Sequence, residues 1–359
     1  MHVHFMGESD DAMSVSSHHA WLLSSSGATV SFDGGGSCPK SVPRKADVVH
    51  LVTFGQTDNR LLRCLLSARK AGAAIVRCWT GMDYLWARFH PPSRRFAHTV
   101  GQLGAVQITS SESLARDLSS IGVSAESGIV ASMHVSSRGE PHPLPEQLTV
   151  LCHLPSSRRR FYGGRVVDHL IRRLPFIRFI ILGDQETDYS PFPNVESLGF
   201  TEDVVRSIQR ATVTIHPLAY GETSRFMVEA LSHGRHAVTS FDWPHCIRVG
   251  TAEEFEQVLR RLPGRPPFNL SGREYVCSTY DRKLAQRALH DLMKRAVNES
   301  RSTSRLHGKL QAASVVMRYP GIYSRRPFTL PNPESLPPQA EPFRLLLEDQ
   351  LKADEAAAR

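Results

Sequence analysis

Between Tyr220 and Pro244 the chain reads Tyr-Gly-Glu-Thr-Ser-Arg-Phe-Met-Val-Glu-Ala-Leu-Ser-His-Gly-Arg-His-Ala-Val-Thr-Ser-Phe-Asp-Trp-Pro, and four side chains there could do chemistry. Thr223 and Ser224 are residues that cap helices, Arg225 would fall in the first helical turn, and Glu229 lies one turn further along on the same side. A helix dipole disfavours a cation in its first turn, but an anion held there by free backbone amides reverses the sign of that effect. Glu229 is flanked by Val228 and Ala230, and a carboxylate among apolar neighbours needs a partner. Two partners fit: the adjacent hydroxyls of a ribose, or Arg225 itself in an i,i+4 ion pair.

These side chains need a loop, a helix, a turn and a strand to position them. Met227, Ala230 and Leu231 recur at helical spacing, so one face packs inward, and Gly234 suits the left-handed residue that ends a helix. His236 to Ser240 then predicts a short buried strand.

This string resembles the Glu-Ala-Leu segment of GT-B glycosyltransferases, particularly the glycosyltransferase 4-like group. The resemblance implies that Thr223, Ser224 and Arg225 meet the phosphates of a nucleotide-sugar donor and that Glu229 binds its ribose. The commoner pattern has another glutamate eight positions before the helical one, where this chain has Gly221, with Glu222 one place on. The segment Trp79-Thr80-Gly81-Met82-Asp83 is similar to a Trp-x-Gly-x-Asp segment in the first domain of such proteins. That likeness puts Trp79 and Gly81 beside the acceptor and makes Asp83 the catalytic carboxylate that hydrogen-bonds the acceptor hydroxyl or takes its proton. Asp83 equally fits a loop or capping residue. Gly7, after the first strand, would let a ligand approach the backbone, as any strand-to-helix turn with glycine does. Arg158, Arg159 and Arg160 stand where the group places basic residues on the donor diphosphate, and they could neutralise charge developing on the departing nucleotide. Plain surface charge suits at least one of them equally. Gly183 would border the nucleotide, and Pro193-Asn194-Val195 resembles a segment flanking the base. The resemblance spans roughly residues 1–296 and is clearest over 148–244.

Hydrophobic residues are 41% of the 359-residue chain and charged residues 22%, as in a globular protein with two full cores. No run approaches the roughly 18 apolar residues of a membrane span. The first residues are too short and uncharged for a signal peptide, so a cytoplasmic location is expected. Six cysteines are scattered without a Cys-x-x-Cys pair, which argues against a zinc knuckle or disulfide framework. The net charge of +8 favours anionic partners: nucleotide diphosphates, or an acidic membrane face touched peripherally on the inner side. Nucleic acid is not expected, because no aromatic-basic array accompanies the charge.

Along the chain, strands alternate with helices in both halves. The strands are His2–Met6, 28–32, 46–54, 73–79, 105–109 and 128–131, then 148–154, 177–183, 194–198 and 211–216. Helices are expected at 11–24, 59–70, 111–120, 164–173, 201–210 (capped by Thr201), 253–262 and 282–296. This rhythm specifies α/β architecture with two doubly wound, Rossmann-like domains, facing a cleft as the resemblance implies. The domains are an acceptor domain over 1–140, a donor domain over 146–298, and a Pro-rich, partly helical tail over 299–359. Leu306, Leu310, Ala313 and Met317 share one helical face in that tail.

The resulting expectation is a glycosyltransferase that moves a sugar from a nucleotide-sugar, such as a UDP- or GDP-sugar, to a carbohydrate or lipid-linked acceptor. Polysaccharide biosynthesis is the setting that the group suggests, with retention of configuration. No metal or cofactor is expected, since arginines and a helix dipole can do a divalent ion's work. The same architecture also hosts nucleotide-sugar epimerases or hydrolases, which a paired carboxylate and histidine would favour. A non-catalytic carbohydrate- or partner-binding protein is the other alternative.

Overall fold

A computed structural model describes residues 1–6, 15–32, 45–52, 59–128, 141–201, 203–218, 220–221, 224–262, 266–302 and 305–318. Two compact units emerge: the described residues of Met1–His134 and Arg282–Pro331 form the first, those of Val135–Asp281 the second.

The first unit contains β1 (His2–Met6), α1 (Val15–Ser24), β2 (Thr29–Phe32), β3 (Val48–Val52), α2 (Asn59–Ala71), β4 (Ala74–Trp79), α3 (Gly81–Phe89), α4 (Pro91–Gln102), β5 (Val106–Thr109) and α5 (Glu112–Ser120). Its strands pair in parallel in the order β2-β1-β3-β4-β5. All of β3 and β4 is buried, as expected of strands covered on both faces. The second unit contains β6 (Thr149–His153), α6 (Gly164–Arg173), β7 (Arg178–Leu182), β8 (Val195–Gly199), α7 (Val204–Gln209), β9 (Val213–His216), α8 (Arg225–Ser232), β10 (His236–Thr239), β11 (Ile247–Arg248), α9 (Ala252–Arg261) and α10 (Leu270–Thr279). Its parallel order is β11-β10-β9-β6-β7-β8. From β6 the chain winds outward through β7 and β8, then restarts on the other side with β9. The winding therefore reverses between β6 and β9.

Two further helices, α11 (Arg282–Ser302) and α12 (Arg305–Arg318), follow. The sequence pattern assigns 282–296 to the second domain, but Ala285, Leu289, Leu292, Met293, Ala296 and Val297 of α11 are buried with Val3, Phe5, Val48 and Val76 of the first sheet. Each fully buried Leu or Met contributes roughly 1.5–3 kcal/mol, which outweighs the helix's proximity in sequence to the second unit. The α12 face also differs from expectation. Leu310 and Met317 are exposed, whereas Gly308, Ala312 and Val315 are buried. Small residues let α12 approach α2, where Arg69 donates to Gln311 Oε1 from Nε (3.2 Å) and Nη2 (3.0 Å), and to Ser300 Oγ from Nη1 (2.7 Å).

Other differences have local causes. Residues 81–102 form two helices, begun by a Thr80–Asp83 capping box and by Pro91 at a first helical position. The cap of α7 is Asp203, which accepts from Arg206 N at 2.9 Å, and not Thr201. The strand expected over 128–131 lies, beyond Gly128, outside the described residues; just before it, Ile108 and Glu126 form one parallel bridge. Among the described residues no helix is long and apolar enough to cross a membrane.

Under the first sheet lies a buried histidine pair. His50 Nδ1 donates to Val76 O at 3.2 Å, so His50 Nε2 must accept from His19 Nδ1, 2.8 Å away. Burial, partly offset by the Val76 carbonyl, pushes His50 down to about 4; burial and the neighbouring His50 and His18 push His19 well below its ordinary value. Both therefore stay neutral when folded but protonate near 6.5 when unfolded. Stability is expected to be constant above pH ~6.5 and to fall below it by about 1.4 kcal/mol per pH unit per group, until His50 itself titrates near 4. Urea melts at pH 7.5, 6 and 5 check this, and equal midpoints at all three would refute it.

Candidate functional site

In open parallel sheets, ligands bind beyond the carboxyl ends of strands where the winding reverses. In the second unit this point is the end of β6 and β9. His153 ends β6 and His216 ends β9, with Cys152 and Ile215 in register just before them. Tyr162 packs edge-on against both histidines, at centroid distances of 5.1 and 5.9 Å. Phe226 lies at 5.9 Å from His153 and 5.6 Å from His216, and Phe241 covers His216 at 6.3 Å. Burial, with Arg158 adding its charge, pushes His153 down to about 4; burial, with His153 adding, pushes His216 to about 3. Both are neutral at pH 7. The sequence pattern gives neither a role, and their shared position just before Leu154-Pro155 and Pro217-Leu218 was the signal available.

α8 begins beside the end of β9. Ser224 is its N-cap residue, and Ser224 Oγ lies 3.0 Å from His216 Nε2. The Val228 amide returns to Ser224 O, while no acceptor among the described residues takes the amides of Arg225, Phe226 or Met227. Arg225 Nε donates to Glu229 Oε1 at 2.9 Å on a half-exposed surface. Of the two partners that fit Glu229, the structure shows Arg225. Thr223 and Gly7 lie outside the described residues.

The arginine cluster divides by role. Arg159 donates from both Nη atoms to Asp168 (2.9 and 2.5 Å) and from Nε to Asp184 Oδ2 at 3.1 Å, so its guanidinium braces the loop from inside. Asp184 also accepts from Ser156 Oγ, Tyr189 OH and the amides of Glu186 and Thr187. Burial alone would raise the Asp184 carboxyl; hydrogen bonds from Thr187, Tyr189 and Arg159 outweigh it and hold it at about 2. Arg158 and Arg160 are exposed, and Arg158 is close enough for its charge to act on His153 and Tyr162. Gly183 turns with φ +88° at the end of β7, where its amide donates to Gly199 O at 2.6 Å.

Two glycines are required by close approach. A Cβ on Gly163, at φ +71°, would lie 2.2 Å from Pro217 O, so the loops after β6 and β9 touch only with glycine there. A Cβ on Gly221 would lie 2.2 Å from the Phe241 ring. Position 221, where the commoner pattern has a glutamate, therefore has no room for a side chain beside that ring. Gly221→Ala is expected to lower the melting temperature by several degrees, and adding Phe241→Ala to reverse part of the loss on the Gly221→Ala background. Differential scanning calorimetry of the two variants checks this; no recovery would exclude the clash.

In the first unit the corresponding reversal lies between β1 and β3, and the residues following both strands are outside those described. Asp83 is buried and accepts from Thr80 N (3.3 Å) and Thr80 Oγ1 (3.1 Å), the work of a helix cap. Trp79 is only 1% exposed, donates from Nε1 to Gln107 Oε1 at 3.0 Å and carries the Arg77 guanidinium 3.5 Å above its ring. It is a core residue that offers no surface to an acceptor. Gly81 begins α3.

No protein-family model matches the chain, and no curated protein matches it in sequence. In three dimensions it is similar to HepE of Anabaena in complex with UDP and glucose, with a TM-score of 0.62 and 14% identity, over 82% of this chain and 100% of that one. Sucrose-phosphate synthase of Thermosynechococcus elongatus is similar with a TM-score of 0.62 and 11% identity, over 82% and 98%. A glycosyltransferase of Rickettsia africae has a TM-score of 0.57 at 11% identity, over 82% and 98%. The fold is that of the GT-B glycosyltransferases.

Proposed function

We propose that this protein is a glycosyltransferase that takes a nucleotide-sugar as donor, with UDP-sugars the first to test, and passes the sugar to a carbohydrate or lipid-linked acceptor. The observation that carries this reading is the reversal point between β6 and β9, onto which the unaccepted first-turn amides of α8 open beside Ser224 and Arg225. Amides and a helix dipole suit a diphosphate, and Arg225, with Arg158 near His153, adds cations that stabilise charge on the leaving nucleotide. Glu229 exchanges Arg225 for the ribose hydroxyls. An exposed i,i+4 pair is worth only about 0.3–0.5 kcal/mol, whereas hydrogen bonds to a carboxylate are worth roughly 1.5–3 kcal/mol, so the ligand wins that exchange. HepE's complexes with UDP and UDP-glucose favour uridine.

Membership of the glycosyltransferase 4-like group, retention of configuration, independence of metal and hexosyl transfer belong to this proposal. So do the acceptor role of the first domain, the cytoplasmic location and peripheral contact with an acidic membrane. The proposal assigns no role to Asp83, whose Oδ2 accepts from Thr80 N and Thr80 Oγ1 as a helix cap does. The epimerase alternative gains nothing from the paired histidines, since no carboxylate among the described residues is hydrogen-bonded to His153 or His216.

The test is a thermal-shift panel of UDP, UDP-sugars and GDP-sugars. A nucleotide at 100 times its Kd stabilises by about 2.7 kcal/mol, a rise of roughly 5–10 °C for domains of this size. A flat response to every nucleotide at millimolar concentration would end the proposal.

A further inference from the structure

Ser224 has the backbone of a helix cap (φ −112°, ψ 122°), yet its side chain caps nothing. At four other helices among the described residues the polar N-cap residue does the ordinary thing, whereas Thr80 of α3 turns its hydroxyl to Asp83 Oδ2. Ser111 accepts from Leu114 N, Asp203 from Arg206 N, Thr251 from Glu254 N and Asn269 from Gly272 N, each reaching the third helical amide. At Ser224 the equivalent Met227 amide is left open, because the hydroxyl is turned to His216 Nε2 at 3.0 Å.

His216 is built to hold it. The ring is 3% exposed, wedged among Tyr162, Phe226 and Phe241, and cannot swing away. Its Nδ1 is buried with no partner among the described residues. A proton on Nδ1 would be a buried donor with nothing to meet, so we assign the proton to Nε2, which donates to Ser224 Oγ. The serine hydrogen is then directed away from the histidine and free to meet an oxygen of a ligand.

We propose that His216 is a positioning residue: by holding Ser224 off the helix cap, it keeps the first-turn amides of α8 open to the donor's diphosphate. This rests on the donor-site reading above. The cap and the ligand compete for the same amides, and His216 decides the competition in favour of the ligand.

The test is titration calorimetry of the full chain with UDP and with inorganic pyrophosphate. His216→Phe keeps the ring volume but removes Nε2; Ser224 then caps α8, and affinity for both falls about tenfold, the effect of one competing hydrogen bond. His216→Gln, which keeps an N–H donor, recovers most of that loss. Ser224→Ala alone weakens binding a few-fold, and His216→Phe added to it changes nothing further, because no hydroxyl remains to compete. A generic packing role would instead give the same His216→Phe loss in both backgrounds, which overturns the proposal, as would unchanged affinity in His216→Phe. Should His216→Phe not fold, His216→Asn, whose shorter amide cannot reach Ser224, takes its place with the same expected loss. Wild-type protein that binds neither UDP nor pyrophosphate removes the donor-site reading and this proposal with it.

Discussion

Glu229→Ala is expected to weaken UDP binding by up to about 100-fold while leaving the melting temperature nearly unchanged. The asymmetry follows from the two partners of this carboxylate. Its bond to Arg225 lies at a half-exposed helix surface, where an i,i+4 pair contributes only tenths of a kcal/mol, so the fold barely depends on it. Two ribose hydroxyls on a charged acceptor are worth roughly 1.5–3 kcal/mol together with the desolvation they avoid. Arg225→Ala separates the roles further: it frees Glu229 for the ribose but removes a diphosphate contact. It should therefore weaken pyrophosphate binding, which Glu229→Ala spares. Calorimetry with UDP, uridine and pyrophosphate resolves these cases. Equal UDP affinity in wild type and Glu229→Ala would remove the ribose assignment, whatever the fate of the diphosphate site.

The largest effect on stability is expected from Asp184→Ala. Its side chain is fully buried and is the common acceptor for Ser156, Arg159, Tyr189 and two backbone amides, tying the loop after β6 to the loop after β7. Removing one partner of such a buried charged network costs about 3–5 kcal/mol, because the remaining groups lose their acceptor without regaining water. Asp168→Asn should cost less, since the Arg159–Asp168 bonds are partly exposed. The sign of the pH dependence is also set. The folded carboxyl titrates at about 2 and an unfolded one at 3.8, so its contribution is complete above pH ~4 and disappears between ~4 and ~2. Denaturant midpoints for the two variants, and for wild type between pH 5 and 2.5, measure both effects. A loss below 1 kcal/mol in Asp184→Ala would show that water replaces the carboxylate.

Much of the fold is readable in the sequence because its signals are local. β3 and β4 are apolar runs broken only by His50 and Arg77, α8 shows its buried face through Met227, Ala230 and Leu231, and Gly234 ends it at φ +68°. The amphipathic α6 and α9 were likewise visible from spacing. What failed were contacts whose partners are distant in the chain. α11 follows the second unit but packs on the first, since its apolar stripe has no address written in it. α12 buries Gly308 and Ala312 in preference to Leu310 because close approach to α2, invisible in the sequence, outweighs side-chain hydrophobicity.

The candidate site divides in the same way. Residue types and spacing alone placed Ser224, Arg225 and Glu229 around one helix N-terminus and left open whether Glu229 meets Arg225 or a ligand. Asp83 and Trp79 were chemically plausible from the sequence, but the capping of Thr80 and the burial of the indole are properties of the folded first unit. Only the tertiary structure decided that Arg159 is an internal brace, that the Phe241 ring leaves Gly221 no room for a side chain, and that His153 and His216 stand side by side. The reason is geometric. A helix turn is written in neighbours three and four residues apart, whereas the strand ends that bring position 153 to position 216 are joined only through the sheet.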